Sequence, residues 1–501
     1  MFIIFGFCIL TIVWIFCLEN CWKPIKFPPG PRWLPFVGCF QRIHKLKKQT
    51  HYYYLVFNEL SKIYGPILGL KLGKQKFVII SGNQLIKKTL MKHEFNGRPE
   101  SFFFKVRSFG KNKGLLFADG SSWYQIKRTT IKIFSSFGTG YDSIMNKCLK
   151  TEAEMMVIYL KNKNIKAGES LIAINEVLNV AITNVLWTMI AGYRFNEDDP
   201  KLHKILKAVH EAFRTNDTLG GIVSHLPFLR FIIPELSGYN NLMAVLQTIW
   251  VFIGEEIDNH LETLKINEQP NNLIDAFLLE LSSKDSLNSS FDREELIVLC
   301  MDIFMAGIKT TTDSLIDIFA LLLHHSEWIE ILQSDLDAVV GRKNFPAVQN
   351  KILLPRVEAF ITEAHRVMIH APLGLPHRTK EDVSLEGYHI PKDTVVLFNF
   401  YSAHNDSSCW DKPEEFCPQR FLDENGVFRW RNELMIFGLG RRRCIGDIIA
   451  KPLQFLFFTS ILHHFDIGVP VGHELPRLDG IDGFTVSPWP YLMTLTIKSS
   501  E

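Results

Sequence analysis

The sequence has no strong excess of charge of either sign and no pattern of a cysteine framework. Its 501 residues include 55 Lys and Arg against 53 Asp and Glu, a formal net charge of +2. Binding to phosphates needs a larger basic surplus, so we expect no nucleic acid partner. The nine cysteines are scattered and include no CxxC pair, which argues against a disulfide framework or a zinc site. At least one thiol is therefore free for another use.

The chain also lacks internal repeats, low-complexity segments and a flexible interdomain linker. We therefore predict a single catalytic domain at 39–501. Its periodicity is mostly helical with a few short strands, which predicts a mainly α (α+β) fold. Helical patterns are expected at 51–64, 120–134, 142–163, 172–194, 201–215, 239–265, 292–324 and 352–368, and strand patterns at 67–72, 77–80, 383–390, 395–398 and 492–497.

The N-terminal segment 1–22 is predicted to be a retained membrane anchor. Residues 2–18 carry no charge, and as a helix they would span about 25 Å, enough for a thin bilayer such as that of the endoplasmic reticulum. Basic residues follow the apolar run and none precedes it, which places the rest of the chain in the cytosol. A cleaved signal peptide is the alternative, but no charged start or small-residue cleavage site is present. The proline-rich segment 23–38 is expected to be a stiff connector.

The strongest local signal is the basic, glycine-containing loop at 437–446, which holds a lone cysteine and leads into an apolar helix from Asp447. Glycines let the backbone approach a flat ligand and leave amide N–H groups free to donate to a sulfur. The helix N-terminus and nearby arginines are expected to lower the pKa of the Cys444 thiol. An ordinary loop with a buried cysteine is the alternative interpretation.

This loop resembles the haem-binding signature of the cytochrome P-450 family, Phe-x-x-Gly-x-Arg-x-Cys-x-Gly, and matches it in full. The resemblance implies bound haem (heme b) with Cys444 as the thiolate ligand of the iron. It also implies that Phe437 packs near the sulfur, that Gly440 and Gly446 shape the loop, and that Arg442 contacts a haem propionate. The resemblance extends over about residues 28 to 498.

A second element is Glu363-Ala364-His365-Arg366, in which the acid and the arginine share one helix face. Alone, such a pair is usually a solvated ion pair. The resemblance implies that Glu363, Arg366 and Arg420 form a buried charge network behind the haem.

A third element is the run from Ala306 to Thr311 inside a long helix whose N-terminus Asp292 and Glu295 would close as a capping box. The small residues could open a groove, and the resemblance implies that Thr310 stands beside the oxygen-binding position there. The family usually has an acid immediately before this threonine, whereas this chain has Lys309. Either Lys309 turns to a carboxylate as a tolerated replacement, or proton delivery and chemistry are altered. Under the second hypothesis, an acid at 309 would improve coupling.

Several cations are candidates for contacts with the haem propionates, since convergent positive charge suits an anion. The family's propionate-binding helix resembles the segment with Trp123, Lys127 and Arg128, where either cation could make the contact. His377 and Arg378 resemble a further propionate contact. The alternative for each is a solvated surface charge.

The resemblance also marks the walls of an apolar substrate cavity. The loop 101–117, the long helix, 373–375 and 485–487 would line it, although the phenylalanines could equally belong to the core. The apolar segment 222–233 could dip into the bilayer or form a buried loop. The candidate cavity residues are Phe102, Phe103, Phe117, Ala306, Leu373 and Val486.

The function implied by the resemblance is a monooxygenase acting on a small lipophilic substrate. No flavin or nicotinamide fingerprint is visible, so electrons from NADPH would come through the flavins of NADPH–cytochrome P-450 reductase, with cytochrome b5 as a further candidate partner. Stretches 97–104 and 107–111 resemble insect microsomal members of the group with steroid hydroxylases and juvenile-hormone epoxidases, hence a terpenoid or sterol substrate. The alternatives are a haem-thiolate isomerase or dehydratase, and a non-catalytic haem-binding membrane protein.

Overall fold

A computed structural model of the chain describes residues 22–138, 143–167, 170–215, 217–264, 269–282 and 292–498. The predicted anchor at 1–22 lies outside these residues except for Trp22. One described helix, Ile174–Ala191, is long and apolar enough to cross a membrane, but 72% of it is buried inside the protein. A core helix passes the same test of length and composition, so we assign this one to the core.

Helices make up most of the described chain, as expected from the periodicity. Short 3₁₀ helices occur at His93–Phe95, Val348–Leu353, Pro418–Phe421 and Gly440–Arg442. The α-helices are α1 (Phe40–Thr50), α2 (Tyr53–Tyr64), α3 (Asn83–Leu90), α4 (Phe102–Val106), α5 (Gly120–Phe137), α6 (Ile144–Ala167), α7 (Ile174–Ala191), α8 (Pro200–Thr215), α9 (Gly221–His225), α10 (Leu229–Ile232), α11 (Tyr239–Thr263), α12 (Leu273–Ser282), α13 (Arg293–His324), α14 (Glu327–Val340), α15 (Pro355–Val367), α16 (Phe400–His404) and α17 (Asp447–His464).

The strands form small sheets beside the helical body. They are β1 (Ile67–Leu72), β2 (Gln75–Ser81), β3 (Ser170–Ala173), β4 (His377–Arg378), β5 (Val383–Leu385), β6 (Tyr388–Ile390), β7 (Val395–Asn399), β8 (Phe465–Gly468), β9 (Gly480–Ile481), β10 (Ser487–Pro488) and β11 (Leu492–Ile497). The largest sheet has the order β1-β2-β7-β4, in which only β2 and β7 run parallel. A three-stranded sheet, β3-β11-β8, joins distant parts of the chain.

The long helix α13 runs through the centre of the protein and is buried over most of its length. It packs against α7, α11, α15 and α17. At Gly307 a Cβ atom would lie 2.7 Å from a methyl carbon of Leu186 on α7, so a larger residue there would require the Leu186 side chain to shift. Long apolar helices packed on all sides explain why the core needs so many aromatic residues.

The predicted helices and the mainly helical fold are confirmed, with ends that differ by a few residues. Strands β1 and β11 match the predicted ranges. The single strand predicted at 383–390 is wrong, because Glu386 and Gly387 both have positive φ and turn the chain into the hairpin β5–β6. The predicted capping box forms only in part. Asp292 accepts from the Glu295 amide at 2.8 Å, but the Glu295 carboxylate accepts from the Gly114 amide at 2.6 Å instead.

Candidate functional site

The loop before α17 has a backbone that requires glycine at two positions. Gly438 and Gly440 have φ of 67° and 69°, in the left-handed region that favours glycine. A Cβ on Gly440 would lie 2.4 Å from the carbonyl oxygen of Leu90. The Cys444 amide donates to the carbonyl of Phe437 at 2.9 Å, which closes the loop. The glycines therefore fix where the cysteine points.

The Cys444 side chain is accessible, although protein surrounds it closely enough for desolvation to raise the pKa of its thiol. A side chain that faces an open space inside the protein is both accessible and closely surrounded by protein atoms. The amides of Gly446 and Asp447 act in the opposite direction and favour the thiolate. The expectation of a lowered pKa is wrong for the protein alone, because burial outweighs these amides and the Arg443 charge. A bound metal ion would deprotonate the thiol.

Two arginines, the buried Arg98 and the half-buried Arg442, lie close to each other near the loop. Burial lowers the pKa of Arg442 to about 10. The pKa of Arg98 is also lowered, by burial first and then by the charge of Arg442. Arg442 stacks 3.6 Å above the Trp123 ring and donates from Nε to the Asn96 carbonyl at 3.0 Å. Its Nη1, and Nε of Arg98, find no hydrogen-bond partner among the described residues.

These observations fit a haem group. Cations with free, buried N–H groups need an anion, which the haem propionates supply. A thiol that faces an open interior space can ligate the iron. Arg98 was not selected as a site residue from the sequence, because it lies 344 positions before Arg442 and no local motif joins them.

The other predicted propionate contacts differ in position. Lys127 lies 5.2 Å above the Trp123 ring and donates to the Arg441 carbonyl, whereas Arg128 is exposed. The structure therefore brings Lys127, and not Arg128, to this cluster.

His377 is buried and its Nδ1 lies 2.7 Å from the Phe95 carbonyl, so Nδ1 carries the proton. Burial, and then the charge of Arg98, keep the pKa of His377 well below its ordinary value. A neutral ring protonated at Nδ1 leaves Nε2 as an acceptor, which is unsuited to a carboxylate. Arg378 is committed to ion pairs with Asp119 and Asp393, which leaves it unsuited to a propionate.

The residues Glu363, Arg366 and Arg420 meet as the resemblance implies. Glu363 and Arg366 are fully buried and joined by two hydrogen bonds of 2.8 and 2.9 Å. Arg420 donates to the same carboxylate at 3.0 Å. Arg366 also donates to three backbone carbonyls, including that of His404 at 2.9 Å. The network ties α15 to the segment that precedes the cysteine loop.

One face of α13 is open in the middle of an otherwise buried helix. Ile303, Ala306, Gly307 and Thr310 are partly accessible, and their spacing places them on one face. The helix continues without a bulge, and the Thr310 hydroxyl donates to the Ala306 carbonyl at 2.6 Å. The predicted groove is therefore an exposed stripe of small side chains on a regular helix.

Lys309 is buried and turned towards a carboxylate, the first of the two alternatives considered for it. Its Nζ lies 2.6 Å from Oδ1 of Asp313, one helical turn further along α13. Burial lowers the pKa of Lys309, and the Asp313 charge opposes this effect. The pair explains how a lysine is accommodated next to Thr310.

The candidate cavity residues lie in three different parts of the structure. Phe103 and Phe117 are buried in an aromatic cluster with Phe104 and Phe484, where the Phe104 and Phe117 centroids are 4.8 Å apart. Phe102 instead stacks against Arg230 and Tyr239 near the surface. Three residues lie on other elements, with Ala306 and Val486 partly accessible and Leu373 buried in the sheet-side core.

Sequence reasoning missed the contacts that fix the loop between α4 and α5. Asp302 accepts from Arg107 at 2.5 Å and from the amides of Leu115 and Leu116 at 2.7 and 2.9 Å. These pairs join residues 186 to 195 positions apart, and no local sequence pattern predicts them.

Comparisons with known proteins agree with this geometry. A model of the cytochrome P-450 family matches residues 28–495. The farnesoate epoxidase of Bombyx mori is 32% identical, over 95% of this chain and 95% of that protein. Probable cytochrome P-450 303a1 of Drosophila melanogaster is 31% identical over 97% of this chain and 99% of its own length. Cytochrome P-450 2M1 of Oncorhynchus mykiss is 31% identical over 92% of this chain and 90% of its own length.

The predicted resemblance, including that to insect members, is confirmed by these matches. They span nearly the whole chain in both directions, and the cysteine loop, the two arginines and the helical fold agree with them. The chain therefore belongs to the cytochrome P-450 family and is an oxidoreductase of the monooxygenase class that uses a thiolate-ligated haem.

Proposed function

We propose that this chain is a membrane-bound monooxygenase of the endoplasmic reticulum that inserts one oxygen atom from dioxygen into a small lipophilic substrate. Electrons from NADPH would arrive through NADPH–cytochrome P-450 reductase, with cytochrome b5 as a further donor. The observation that carries the proposal is the accessible thiol of Cys444 inside the protein, in the same region as the unpaired N–H groups of Arg98 and Arg442.

Cys444 would ligate the iron, and Arg98, Arg442 and Lys127 would hold the propionates. When bound, a thiolate-ligated haem supplies the cleavage of the O–O bond. The chain holds this group in place through the glycine loop, whose backbone cannot accept a side chain at Gly440. The Glu363 network supports the segment that precedes this loop.

Thr310 is the hydroxyl best placed to hold a water molecule at the open face of α13. Its hydrogen is committed to the Ala306 carbonyl, so the lone pairs of Oγ1 remain free to accept from water on the open face of α13. The neighbouring Ile308, Lys309 and Thr311 are buried, so the accessible face of α13 at this level is the one that carries Thr310. Lys309 is paired with Asp313, so its ammonium is not available to deliver protons.

The substrate class rests on the walls and on the relatives. Phe103, Phe117 and Phe484 give the candidate cavity an aromatic roof, which suits an apolar molecule. One relative is named for an epoxidation of farnesoate, a terpenoid acid. A terpenoid is therefore our first candidate and a sterol the second.

A continuous apolar surface supports the membrane location. Two exposed segments border Gly73, whose amide donates to Val37 at 3.4 Å and whose Cβ position lies 3.3 Å from the His225 carbonyl oxygen. The exposure favours the bilayer over the alternative of a buried loop, except at Val223, which is buried. We call this the apolar face, made of Leu34, Phe36, Val37, Phe40, Leu226, Phe228, Phe231, Ile232 and Leu236.

A basic surface near the cysteine loop is the candidate docking site for the reductase. Arg128, Arg441 and Arg443 are exposed, and Arg443 is also paired with Asp447 on the first turn of α17. Lys127, which lies beside this surface, donates to the Arg441 carbonyl. Exposed cations near the site favour an acidic partner through long-range attraction.

The proposal is tested by turnover in lipid vesicles that contain the full chain, the reductase and NADPH. Farnesoate, a sterol and a fatty acid are supplied as substrates under isotopically heavy dioxygen. We expect a terpenoid product that carries one heavy oxygen atom and that forms only with reductase and NADPH. Conversion of a peroxide without reductase would instead favour an isomerase or dehydratase. A haem-loaded chain without any turnover would favour a non-catalytic haem protein.

A further inference from the structure

Arg214, at the C-terminal end of α8, holds the turn that leads into β10. Its Nη1 donates to the carbonyls of Ile481 and Asp482 at 2.6 and 3.2 Å. Its Nη2 donates to the Thr485 carbonyl at 2.9 Å and to the Ser487 hydroxyl at 2.6 Å. One planar guanidinium thus satisfies four acceptors of the same turn, a geometry that an ammonium group does not reproduce.

The contacts continue from this turn into the central helix. The Ser487 hydroxyl accepts from Arg214 and donates to Oδ2 of Asp313 at 2.5 Å. The other carboxylate oxygen of Asp313 accepts from Lys309 at 2.6 Å. The series Arg214–Ser487–Asp313–Lys309 therefore joins α8, the turn and the part of α13 that carries Thr310. We call it the polar clasp.

Backbone and aromatic contacts hold the same turn from other sides. The Phe484 amide donates to the Phe213 carbonyl at 2.9 Å, and the Val486 amide donates to the His370 carbonyl at 2.8 Å. The Phe484 ring lies 6.3 Å from Phe117 and 6.4 Å from Phe103, centroid to centroid. The turn is therefore the place where α8, the aromatic roof and the segment before β4 meet.

Four titratable groups surround the polar clasp, which are His210, His370, Asp317 and Asp482. Burial lowers the pKa of His210 on α8 and of His370, so both are neutral near physiological pH. Burial, and then the Asp313 charge, raise the pKa of Asp317 well above its ordinary value. The pKa of Asp482, which pairs with Lys47, is also raised by burial.

We propose that Arg214 is a positioning residue that sets the shape of the substrate cavity, because it fixes the turn Ile481–Ser487, including Val486, against α8 and α13. The inference rests on the proposed function, in which Val486 lines the cavity. Arg214 itself contacts no reacting atom. Without the Arg214 guanidinium, four hydrogen-bond acceptors of the turn lose their donor. The turn is then held less firmly against Phe103 and Phe117.

The test compares two nitrogen ligands of haem iron that differ in size. Imidazole is small and needs access only to the iron, whereas clotrimazole is large and must also fit into the substrate cavity. Both are titrated spectrally into the full haem-loaded chain, as wild type, Arg214→Met, Arg214→Lys and Lys207→Met. Lys207 is the matched control, since it is a cation on the same helix whose side chain is 79% exposed.

For Arg214→Met we expect the Kd of clotrimazole to rise about tenfold and that of imidazole to change by less than about twofold. Arg214→Lys should restore less than half of the effect, and Lys207→Met should match the wild type. Amide hydrogen exchange in the turn Ile481–Ser487 should become faster in Arg214→Met, to a smaller extent in Arg214→Lys, and should be unchanged in Lys207→Met. This exchange measurement requires no turnover.

An unchanged clotrimazole Kd in Arg214→Met would overturn the inference, as would equal weakening of both ligands, which indicates general damage. If Arg214→Met does not take up haem, Ser487→Ala is used instead, because it removes one contact of the polar clasp. A Kd change in Ser487→Ala that is the same for imidazole and clotrimazole would also overturn the inference. A wild-type chain that gives no spectral shift with imidazole would overturn the proposed function itself. The two failures are therefore distinguishable.

Discussion

Single buried charges determine much of what this chain tolerates. Arg366 and Glu363 are fully buried, and Arg420 shares their carboxylate. A buried ion pair adds little net stability relative to apolar residues, but the loss of one partner leaves an uncompensated charge. The consequences of substitution therefore depend on which partner remains.

Replacement of Glu363 by glutamine should lower the free energy of unfolding by about 3–5 kcal/mol, because two arginines then lack their counter-charge. Chemical denaturation followed by circular dichroism measures the change. Glu59→Gln is the control, since its pair with Lys62 is about half exposed and should contribute less than about 1 kcal/mol. Equal effects of the two substitutions would contradict the buried network.

Glu295 should make the stability of the protein depend on pH. Burial raises its pKa to about 7, so the folded chain holds this proton more tightly than the unfolded chain. The stabilisation is fully present below the ordinary carboxyl pKa and is lost as the pH rises through about 7. Relative to wild type, Glu295→Gln should be neutral near pH ~5 and stabilising by up to about 3 kcal/mol near pH ~8.

Unfolding at these two pH values measures the difference. A constant difference between wild type and Glu295→Gln would show that the residue does not titrate in this range. Glu294→Gln, at a half-buried neighbouring position whose carboxylate pairs with Lys111 and Lys113, is the control, and its effect should be the same at both pH values.

At the residue scale, the sequence predicted the cysteine loop well, since its chemistry is packed into ten consecutive residues. The partners of Arg442 and Asp313 could not be predicted in the same way. Arg98 lies near Arg442, and Ser487 bonds to Asp313, only in the folded protein. Neither pair has a recognisable spacing in the sequence. Lys309 was ambiguous for a different reason, since its i,i+4 spacing from Asp313 allows a pair on any helix but does not show that both groups are buried.

Among the elements, α13 is the one whose internal pair most affects the site. Lys309 and Asp313 are one turn apart and both buried. Lys309→Glu would place two carboxylates against each other, so we now expect it to destabilise the helix. The sequence-based hypothesis that an acid at 309 improves coupling assumed an unpaired lysine, which the structure does not show.

A double-mutant cycle on this pair tests the interaction. Asp313→Asn leaves a buried, unpaired ammonium and should cost about 3–5 kcal/mol, whereas Asp313→Asn/Lys309→Met removes both charges and should cost less than the single substitution. Denaturation midpoints of the two variants and of Lys309→Met give the coupling energy. Additive costs would mean that the two side chains do not interact.

Long amphipathic helices were predictable because their periodicity extends over many residues, as in α8 and α11. Short strands such as β3, β4 and β10 were not, since two to four residues carry almost no periodic signal and pair with distant segments. The hairpin β5–β6 was mistaken for one strand because Glu386, a residue that rarely adopts positive φ, forms its turn.

For the whole molecule, the apolar face should contact lipid. Its most exposed members include Phe231 at 76% and Leu236 at 84%, a large area of apolar surface to leave in water. We expect a polarity-sensitive fluorophore on Phe231→Cys or Leu236→Cys to shift to the blue when the full chain is placed in phospholipid nanodiscs. Ile158→Cys, 50% exposed on α6, is the control.

Blue shifts of equal size at Ile158 and at the apolar face would contradict the proposed orientation. No shift at any position would mean that this face remains in water.

The central claim is that the Cys444 sulfur binds haem iron, and the carbon monoxide difference spectrum of the reduced protein tests it most directly. The wild-type chain should show the red-shifted Soret band that a thiolate ligand gives. Cys444→Ala should lose that band, while Cys417→Ala, a free cysteine elsewhere in the described chain, should keep it. Persistence of the thiolate band in Cys444→Ala would contradict the assignment of the ligand and the site built on it.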